Sequence, residues 1–362
     1  MFFTKYIRSF YERFEHRISS LFLFLGFIFD VFTLKRVDAI FENAIIVIYL
    51  LLIGIFITLI HTTEKKVEGE KNFFSPHFWY VSILQFLFGG VFSAYLILYF
   101  RSADIFVAWP FIALLAVIFI ANEFLKQHYV RLSIQISLYF LAIYSFIIFF
   151  IPVALHKIGK EIFLFSGLVS LILIFLFIKA LFYFIKDKLS KTKKLLQVLI
   201  AIIFILVNFL YFTNLIPPIP LSLKDAGVFH SIQKNKQGNY DVTYENLGWK
   251  EYLTFYPNFH EVPGSSIHAF SAVFSPKNLN ITIFHEWQRY DETKKGWTTE
   301  RVMHLPVVGG RDGGFRTYSS RSDLAQGKWQ VNIKTEQGQI IGRLRFNVIL
   351  VNEKPELTAA VK

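Results

Sequence analysis

The chain contains no cysteine, only 2 methionines and few charged residues, which make up 18% of the sequence. Without cysteine it can form no disulfide and can use no thiolate as a nucleophile or metal ligand. This absence leaves the compartment open, because a disulfide-free domain is stable on either side of a membrane. The shortage of charge beside 54% hydrophobic residues is more informative, since a soluble globular surface of this length could hardly accommodate it. Something other than water must therefore solvate part of the chain.

Seven apolar segments precede Pro217, and each approaches the roughly 20 residues that a helix needs to cross a hydrocarbon core. They are residues 18–34, 44–60, 78–100, 105–121, 134–155, 162–184 and 195–215. The first is short and carries Asp30, so it is either a full span or a hairpin that dips into the bilayer and returns. We therefore predict an α-helical transmembrane bundle over residues 18–216, with the lipid bilayer as its partner.

Basic residues are concentrated in alternate loops, and basic loops stay on the cytoplasmic side during membrane insertion. The basic segments are residues 5–17, 65–71, 126–131 and 186–194, whereas the opposite loops hold five basic residues. This pattern predicts a multi-pass protein of the cytoplasmic membrane with its N-terminus in the cytoplasm. After an odd number of helices, the C-terminal domain is extracytoplasmic. Residues 1–17 mix aromatic and basic side chains at near-helical spacing and are predicted to lie on the inner membrane surface.

A formal net charge of +12 raises the question of a nucleic-acid partner. Up to Ser222, however, the chain holds 20 Lys and Arg against 12 Asp and Glu, so most of the excess borders the apolar segments. Such a distribution is typical of charge that sets membrane topology. We predict no nucleic-acid partner.

Charged residues gather near the predicted outer ends of the first two helices. The cluster consists of Asp30, Lys35, Arg36, Asp38 and Glu42. We interpret it as a set of ion pairs that pins a tight turn, with a proton or ion site as the alternative. The centres of the later helices offer only serine, glutamine and glycine. This scarcity argues against a secondary transporter, whose helices break at a polar site near the midplane.

After Asn214 the composition changes, and apolar residues begin to alternate with polar ones. We predict a Pro-rich connector over residues 217–226, a β domain over 227–352 and a tail over 353–362. Candidate strands are residues 240–244, 267–274, 281–290, 298–307, 315–319, 328–334 and 339–351, and the last two are joined by a turn at 336–338. Residues 250–263 are predicted to form an irregular loop. The lack of helical periods favours an all-β domain, an antiparallel β-sandwich of Ig-like type.

Several short motifs within this domain together resemble a known family. The motifs are HEW at 285–287, LPV at 305–307, GGR at 309–311, FRTYSS at 315–320 and GKWQV at 327–331, followed by Gly342 and Phe346. As a set they resemble the bacterial membrane proteins with a C-terminal domain of unknown function 2914, over about residues 273–350. That family has no assigned activity, so the resemblance implies a fold and a location but no reaction.

Five residues of the β domain are candidates for ligand binding: His285, Trp287, Arg311, Arg316 and Trp329. Exposed tryptophan rings stack on the faces of sugars, and the arginines would bind an acidic group if they line a site. The alternative is that the tryptophans and the histidine belong to the core. In alternating strands tryptophan is more often a core residue.

Other motifs carry little chemistry. A hairpin that turns around residues 291–296 could place His285 and His304 diagonally on one face of two paired strands. A zinc site needs three or four ligands, and no third is obvious, although Glu300 could share that face. The glycine-rich segment 309–314 leads into a strand, whereas a phosphate cradle opens a helix. Ser319 and Ser320 have no His and Asp partners at motif spacing, so nucleophilic catalysis has no support. We predict no metal and no cofactor.

The leading hypothesis is a non-enzymatic protein whose extracytoplasmic β-sandwich recognises an envelope protein or polymer, such as a glycan. The alternative is a membrane enzyme or transporter that acts on a lipid-linked or small substrate within the helical bundle. In that case Asp30, Arg101 or Glu123 would lie at the rim of the pocket. A third possibility is a sensor whose outer domain signals to the lysine-rich segment 186–194.

Overall fold

The computed structural model describes residues 27–28, 40–63, 76–102, 105–124, 131–216, 220–246, 248, 251, 254–279, 281–311 and 313–362. The chain divides into two compact units, one of residues 1–101 and 108–216 and one of residues 102–107 and 217–362. We call the part up to Ile216 the helical unit and the part from Pro217 onward the β unit. The predicted surface segment 1–17 lies outside the described residues, as does nearly all of the first predicted span.

Five helices have described bounds. They are α1 (Ile40–Thr63), α2 (Pro76–Ser102), α3 (Ile105–Phe124), α4 (Leu132–Leu155) and α5 (Lys160–Phe212). All but α3 are long and apolar enough to cross a membrane, judged by length and composition. Helices α1 to α4 coincide with the predicted helical segments 44–60, 78–100, 105–121 and 134–155. A helical N-terminal region is therefore confirmed.

The sixth and seventh predicted segments form one element, α5, which reverses direction at Ile185. This residue has φ −136° and ψ 44°, outside the helical range. A straight helix would separate Phe163 from Tyr211 by roughly 70 Å, yet their rings stack with centroids 3.6 Å apart. Helix α5 is therefore an antiparallel hairpin with arms at residues 160–184 and 186–212. Residues 186–194, expected to form a loop, begin the second arm and are helical.

Aromatic and small residues pack the helices together. The hydroxyl of buried Tyr95 on α2 donates a hydrogen bond to the carbonyl of Ala142 on α4, at 2.8 Å. At Gly167 on α5, an added Cβ would lie 3.0 Å from the Tyr144 hydroxyl and 3.1 Å from the Phe204 ring. Glycine at this position therefore allows α4 and both arms of α5 to approach closely.

The described part of the β unit contains eleven strands. They are β1 (Ser222–Phe229), β2 (Ser231–Lys234), β3 (Tyr240–Glu245), β4 (Asn258–Glu261), β5 (Ser266–Phe274), β6 (Ile281–Asp291), β7 (Gly296–Val307), β8 (Phe315–Ser322), β9 (Gly327–Thr335), β10 (Ile340–Leu350) and β11 (Leu357–Val361). They form three sheets with strand orders β1-β5-β8, β4-β10-β9-β6-β7 and β11-β3-β2. Among the described strands, the pairings are antiparallel except that of β4 with β10.

The sheet β1-β5-β8 is the middle layer, because both of its faces are covered. Ile267 and Ala269 of β5 pack with Trp287, Trp329 and the rest of the core facing the five-stranded sheet. Phe270 and Ala272 of β5 pack on the other side, in a core shared with β2 and β3. Strand β5 therefore reads as a nearly unbroken buried run rather than an alternating one.

All seven predicted strands are present, and an antiparallel, β-rich C-terminal domain is confirmed. The hairpin of β9 and β10 has the expected register, since Val331 pairs with Leu344 and Trp329 with Phe346. Four further strands appear. Of these, β1 starts inside the predicted connector 217–226, β4 lies in the predicted loop 250–263 and β11 lies in the predicted tail 353–362. Together with β2 and β3, β11 builds a third layer that the sequence analysis did not predict.

Candidate functional site

Three of the five predicted ligand-binding residues belong to the interior of the β unit. His285 and Trp287 are 0% exposed and Trp329 is 1% exposed. The Nδ1 and Nε2 atoms of His285 lie 2.8 Å from the hydroxyls of Ser319 and Ser271. Burial lowers the pKa of His285 to about 4, so the ring is neutral at neutral pH. This burial contradicts the hypothesis that the two tryptophans form a sugar-binding platform.

The two arginines do not complete a site around them. Arg311 is exposed, whereas Arg316 donates a hydrogen bond from Nη1 to the Asn239 side-chain oxygen at 2.8 Å. Arg316 follows the odd–even alternation of β8 and lies on the face opposite Ser319, whose hydroxyl accepts a hydrogen bond from Trp287 at 3.0 Å. The five residues therefore do not converge on a cleft.

The expectation that His285 and His304 share a face is wrong. In the β6–β7 pairing, His304 lies opposite Phe284, while His285 lies opposite Met303. Because successive strand residues point to opposite faces, His285 points inward and His304 outward. Among the described residues, no group of three His, Asp or Glu is arranged to hold a metal ion.

The outer face of the five-stranded sheet carries a row of polar side chains instead. The register of β6 with β9 places Glu286 beside Asn332 and Gln288 beside Gln330. On the other side of β9, Arg343 of β10 lies beside Asn332. These residues alternate with the apolar residues of the core, so the apolar set faces the core and this polar set lies on the outer face of the sheet. We call Glu286, Gln288, Thr299, Gln330, Asn332, Lys334 and Arg343 the polar ladder.

Hydrogen bonds hold the polar ladder in one arrangement. The Gln288 side-chain oxygen accepts from Gln330 at 2.6 Å and from Asn332 at 3.0 Å, and Arg343 donates to Asn332 at 2.6 Å. Gln330 and Asn332 are only 3% and 2% exposed, so they orient their more accessible neighbours. A network with this degree of internal bonding is rigid before any ligand arrives.

Glu286 is the acidic group of the ladder. Its carboxylate accepts hydrogen bonds from Lys334 and, at 3.1 Å, from Asn332. Burial acts to raise the pKa of Glu286, but the hydrogen bonds from Lys334 and Asn332 outweigh it and bring the pKa below its ordinary value. The carboxylate is therefore ionised at neutral pH and can accept hydrogen bonds from hydroxyl groups.

An aromatic cluster of Tyr256, Tyr290 and Trp297 adjoins the ladder at the end of the sheet. Tyr290 pairs with Trp297 across β6 and β7, and the Trp297 ring lies 5.3 Å from Tyr290 and 6.1 Å from Tyr256. The ammonium group of exposed Lys328 lies 5.7 Å and 5.8 Å from the two tyrosine rings. All three rings are partly exposed.

The ladder and the aromatic cluster together present rings, a carboxylate and cationic donors on one sheet face. Sugars have a C–H face that stacks on aromatic rings, and hydroxyls that donate to carboxylates and accept from N–H groups. This face was not predicted from the sequence, because the predicted ligand-binding residues were the larger aromatic ones, Trp287 and Trp329. The sequence feature that could have predicted this face is the row of polar and tyrosine side chains at every second position, from Glu286 to Tyr290 and from Lys328 to Lys334.

A second polar cluster joins the third layer to β4. Glu245 accepts hydrogen bonds from His230 at 2.9 Å and from His260 at 2.6 Å, and the backbone N–H of His260 donates to it at 2.7 Å. Burial acts to raise the pKa of Glu245, but the bonds from the two histidines prevail and lower it. Near this cluster, Nδ1 of His268 lies 2.6 Å from the Ser320 hydroxyl, a histidine partner that sequence spacing did not reveal.

In the helical unit, a buried polar chain connects three helices. His61 near the end of α1 lies 2.9 Å from the Gln135 side chain of α4 and 3.0 Å from the ammonium group of Lys188 of α5. This chain ties the ends of the helices together. Of the predicted charged cluster, Asp30, Lys35, Arg36 and Asp38 are outside the described residues. Glu42 lies in α1, but its side chain is not among those described, and the same holds for the side chains of the rim candidates Arg101 and Glu123.

Comparison with known proteins identifies the C-terminal region. Residues 280–348 match the model of the family described as protein of unknown function DUF2914, so the resemblance to that family is confirmed. The match spans β6 to β10 and hence most of the face described above. No curated protein sequence matches the chain.

The chain is only weakly similar to the solved structures that it matches. A β-glucosidase from Listeria innocua in complex with gluconolactone is 9% identical over 34% of this chain and 16% of that chain, with a TM-score of 0.19. The alkylpurine DNA glycosylase AlkC of Pseudomonas fluorescens, bound to DNA with an abasic site analogue, is 10% identical over 85% of this chain and 98% of that chain, with a TM-score of 0.22. This chain thus spans only a small part of the glucosidase. Both scores are too low to indicate a shared fold.

Proposed function

We propose that the chain is a multi-pass membrane protein whose extracytoplasmic β unit binds a glycan of the cell envelope. The observation that carries the proposal is the adjacency of the aromatic cluster and the polar ladder on one exposed sheet face. In this proposal the two sheets that enclose Trp287 and Trp329 form an Ig-like sandwich, and the helices anchor it in the bilayer.

Trp297 and Glu286 have distinct roles in the proposed site. Trp297 lies between two tyrosine rings on the β6–β7 hairpin, so it offers a stacking surface of fixed orientation. Glu286 is ionised and held by Lys334 and Asn332, so it accepts hydrogen bonds from hydroxyl groups without first having to be ordered. The family match over residues 280–348 supports a site that belongs to the domain itself.

The test uses the full chain in lipid nanodiscs. An array of hexose and N-acetylhexosamine oligosaccharides is screened first, and the ligand with the strongest signal is titrated by calorimetry. Trp297→Ala should weaken its binding about tenfold, or about 1.4 kcal/mol. Glu286→Gln keeps the shape but removes the charge, and it should weaken binding to a similar degree.

The matched control is Tyr318→Ala. Tyr318 is 39% exposed but lies on β8, away from the five-stranded sheet, so its removal should leave binding unchanged. Absence of binding to every oligosaccharide, or equal losses in Trp297→Ala and Tyr318→Ala, would contradict the proposal.

The orientation is tested separately. Because the chain has no cysteine, single cysteines can be placed at exposed Lys295 in the β unit and at exposed Ser190 in α5. We expect an impermeant maleimide to label Lys295→Cys in intact cells and Ser190→Cys only after permeabilisation. The reverse pattern would refute the proposed topology.

A further inference from the structure

We propose that the tip of the α5 hairpin, residues 179–194, is a binding surface for the headgroups of anionic phospholipids. This inference goes beyond the proposed glycan site and rests only on the membrane-spanning part of the proposed function. Its partner is the lipid leaflet at that end of the helices, recognised through the negative charge of the phosphate groups.

The charge of the tip is high and of one sign. Residues 176–200 contain six lysines, and Asp187 is their only acidic residue. Lysines clustered directly beside a membrane span attract anionic lipids, because the surface potential acts on each of them within a Debye length.

The helical conformation points most of these lysines outward. Leu189 and Leu196, seven residues apart, are buried and mark the inward face of the second arm. Four lysines of this arm are exposed: Lys186, Lys191, Lys193 and Lys194. A flexible loop would let such side chains point anywhere, whereas the helix fixes them on one surface.

Lys188, unlike the four exposed lysines, shows which ends of the other helices the tip lies beside. It points inward, and its ammonium group lies 3.0 Å from His61, near the end of α1. The same histidine contacts Gln135, near the start of α4. The lysines therefore lie where the apolar segments of α1 and α4 also reach their limit, which is the depth of the headgroups in a bilayer.

Aromatic side chains support this depth independently. Phe182, Tyr183 and Phe184 at the end of the first arm are 43%, 92% and 64% exposed. The contact of Phe163 with Tyr211 sets the alignment of the two arms and places these rings level with the lysines of the second arm. Aromatic rings beside cationic side chains are typical of the boundary between hydrocarbon and headgroups.

The experiment uses the full chain in nanodiscs that contain equal amounts of phosphatidylcholine and phosphatidylglycerol. After mild detergent extraction, native mass spectrometry counts the lipids of each class that remain bound. We expect the wild type to retain phosphatidylglycerol at least tenfold over phosphatidylcholine. Replacing Lys186, Lys191, Lys193 and Lys194 together by Gln should abolish this preference, and replacing them by Arg should preserve it.

The matched control replaces four exposed lysines of the β unit by Gln, namely Lys234, Lys236, Lys294 and Lys295. It should leave the preference intact. Equal preference in the tip and control variants would overturn the proposal. So would tight binding of soluble heparin to the wild type in pure phosphatidylcholine discs, because it would show a general polyanion site.

Failure of the membrane assignment would look different. A chain that does not cross the bilayer would be released from the discs by alkaline carbonate, whatever its lipid preference. The wild type and both variants should resist this extraction, and release of the wild type would refute the anchoring on which the inference rests.

Discussion

Glu261 provides the sharpest test of the β unit, because it is a carboxylic acid enclosed in the core. Its side chain is 1% exposed, and neither oxygen has a hydrogen-bond partner among the described residues. Burial and the nearby charge of Asp323 raise the pKa of Glu261 from 4.5 to about 7, while the backbone N–H of Leu324 acts in the opposite direction. The folded protein therefore binds this proton more tightly than the unfolded chain does.

The direction and size of the effect follow from linkage. The folded state keeps the proton between pH 4.5 and about 7 while the unfolded chain loses it, so this group lowers the free energy of unfolding as pH rises through that window. The full penalty, present above the folded pKa, is about 3 kcal/mol, and about 2.5 kcal/mol of it appears between pH 5 and 8.5. Glu261→Gln has no such proton to lose. Relative to the wild type, its unfolding free energy should therefore rise by about 2.5 kcal/mol over that range.

The assay is pulse proteolysis of the full chain in detergent micelles over a urea series, repeated at several pH values. Urea unfolds the β unit, and the protease removes only the unfolded fraction. Asp323→Asn serves as the second variant, since loss of the neighbouring charge should shift the decline to lower pH. The same pH dependence in the wild type and Glu261→Gln would refute this account of the buried carboxyl.

Two further predictions concern the hairpin and the histidine cluster. Cysteines at Phe163 and Tyr211 should cross-link under mild oxidation, because the two rings stack with centroids 3.6 Å apart. As a control, cysteines at Phe163 and Phe184 should not cross-link, because these residues lie roughly 30 Å apart on the same arm. A cross-link in the control pair alone would contradict the hairpin. Glu245→Gln should lower the free energy of unfolding at neutral pH by about 2 kcal/mol, because it weakens the bonds to His230 and His260. As the pKa of Glu245 is lowered, its contribution is present above pH 4.5 and is lost as pH falls below it, so the wild type and the variant should converge in acid.

The helical unit was predictable because its segments are long and apolar, and hydrocarbon allows such segments few backbone conformations. A segment of about 20 apolar residues must be helical to satisfy its own hydrogen bonds in hydrocarbon, so composition alone locates it. The reversal at Ile185 was harder to place. It involves neither glycine nor proline, and the lysines and leucines that follow are good helix formers, so the second arm begins at once.

The β unit was predictable where strands alternate and unpredictable where they do not. Most of the seven predicted strands alternate apolar and polar residues, whereas β1 shows no such alternation and β4 and β11 are only four and five residues long. The third layer had a signal in β5, whose run from Ala269 to Phe274 is buried on both faces. A strand whose residues are buried on both faces must be covered by another layer on each side.

The candidate site shows what the alternation of residues along a strand predicts and what it leaves open. The period of two separates Trp287 from Glu286 and Gln288, and Trp329 from Lys328 and Gln330. It does not state which set is inside, and the hydrophobic effect decides that in favour of the larger apolar set. The tryptophans therefore lie in the core, and the polar set lies on the outer face of the sheet.

The two most strongly perturbed groups of the β unit act in opposite directions, which leads to a final prediction. Burial lowers the pKa of His285 from 6.5 to about 4, so the folded state resists protonation and this group raises the free energy of unfolding as pH rises from 4 to 6.5. Glu261 lowers it from 4.5 upwards, and between pH 4.5 and 6.5 the two slopes cancel. Glu261→Gln should therefore unmask a rise with pH in this window, His285→Gln should unmask a fall, and the double variant should return to the wild-type slope. If both single variants keep that slope in pulse proteolysis, the two buried groups do not control the acid stability of the unit.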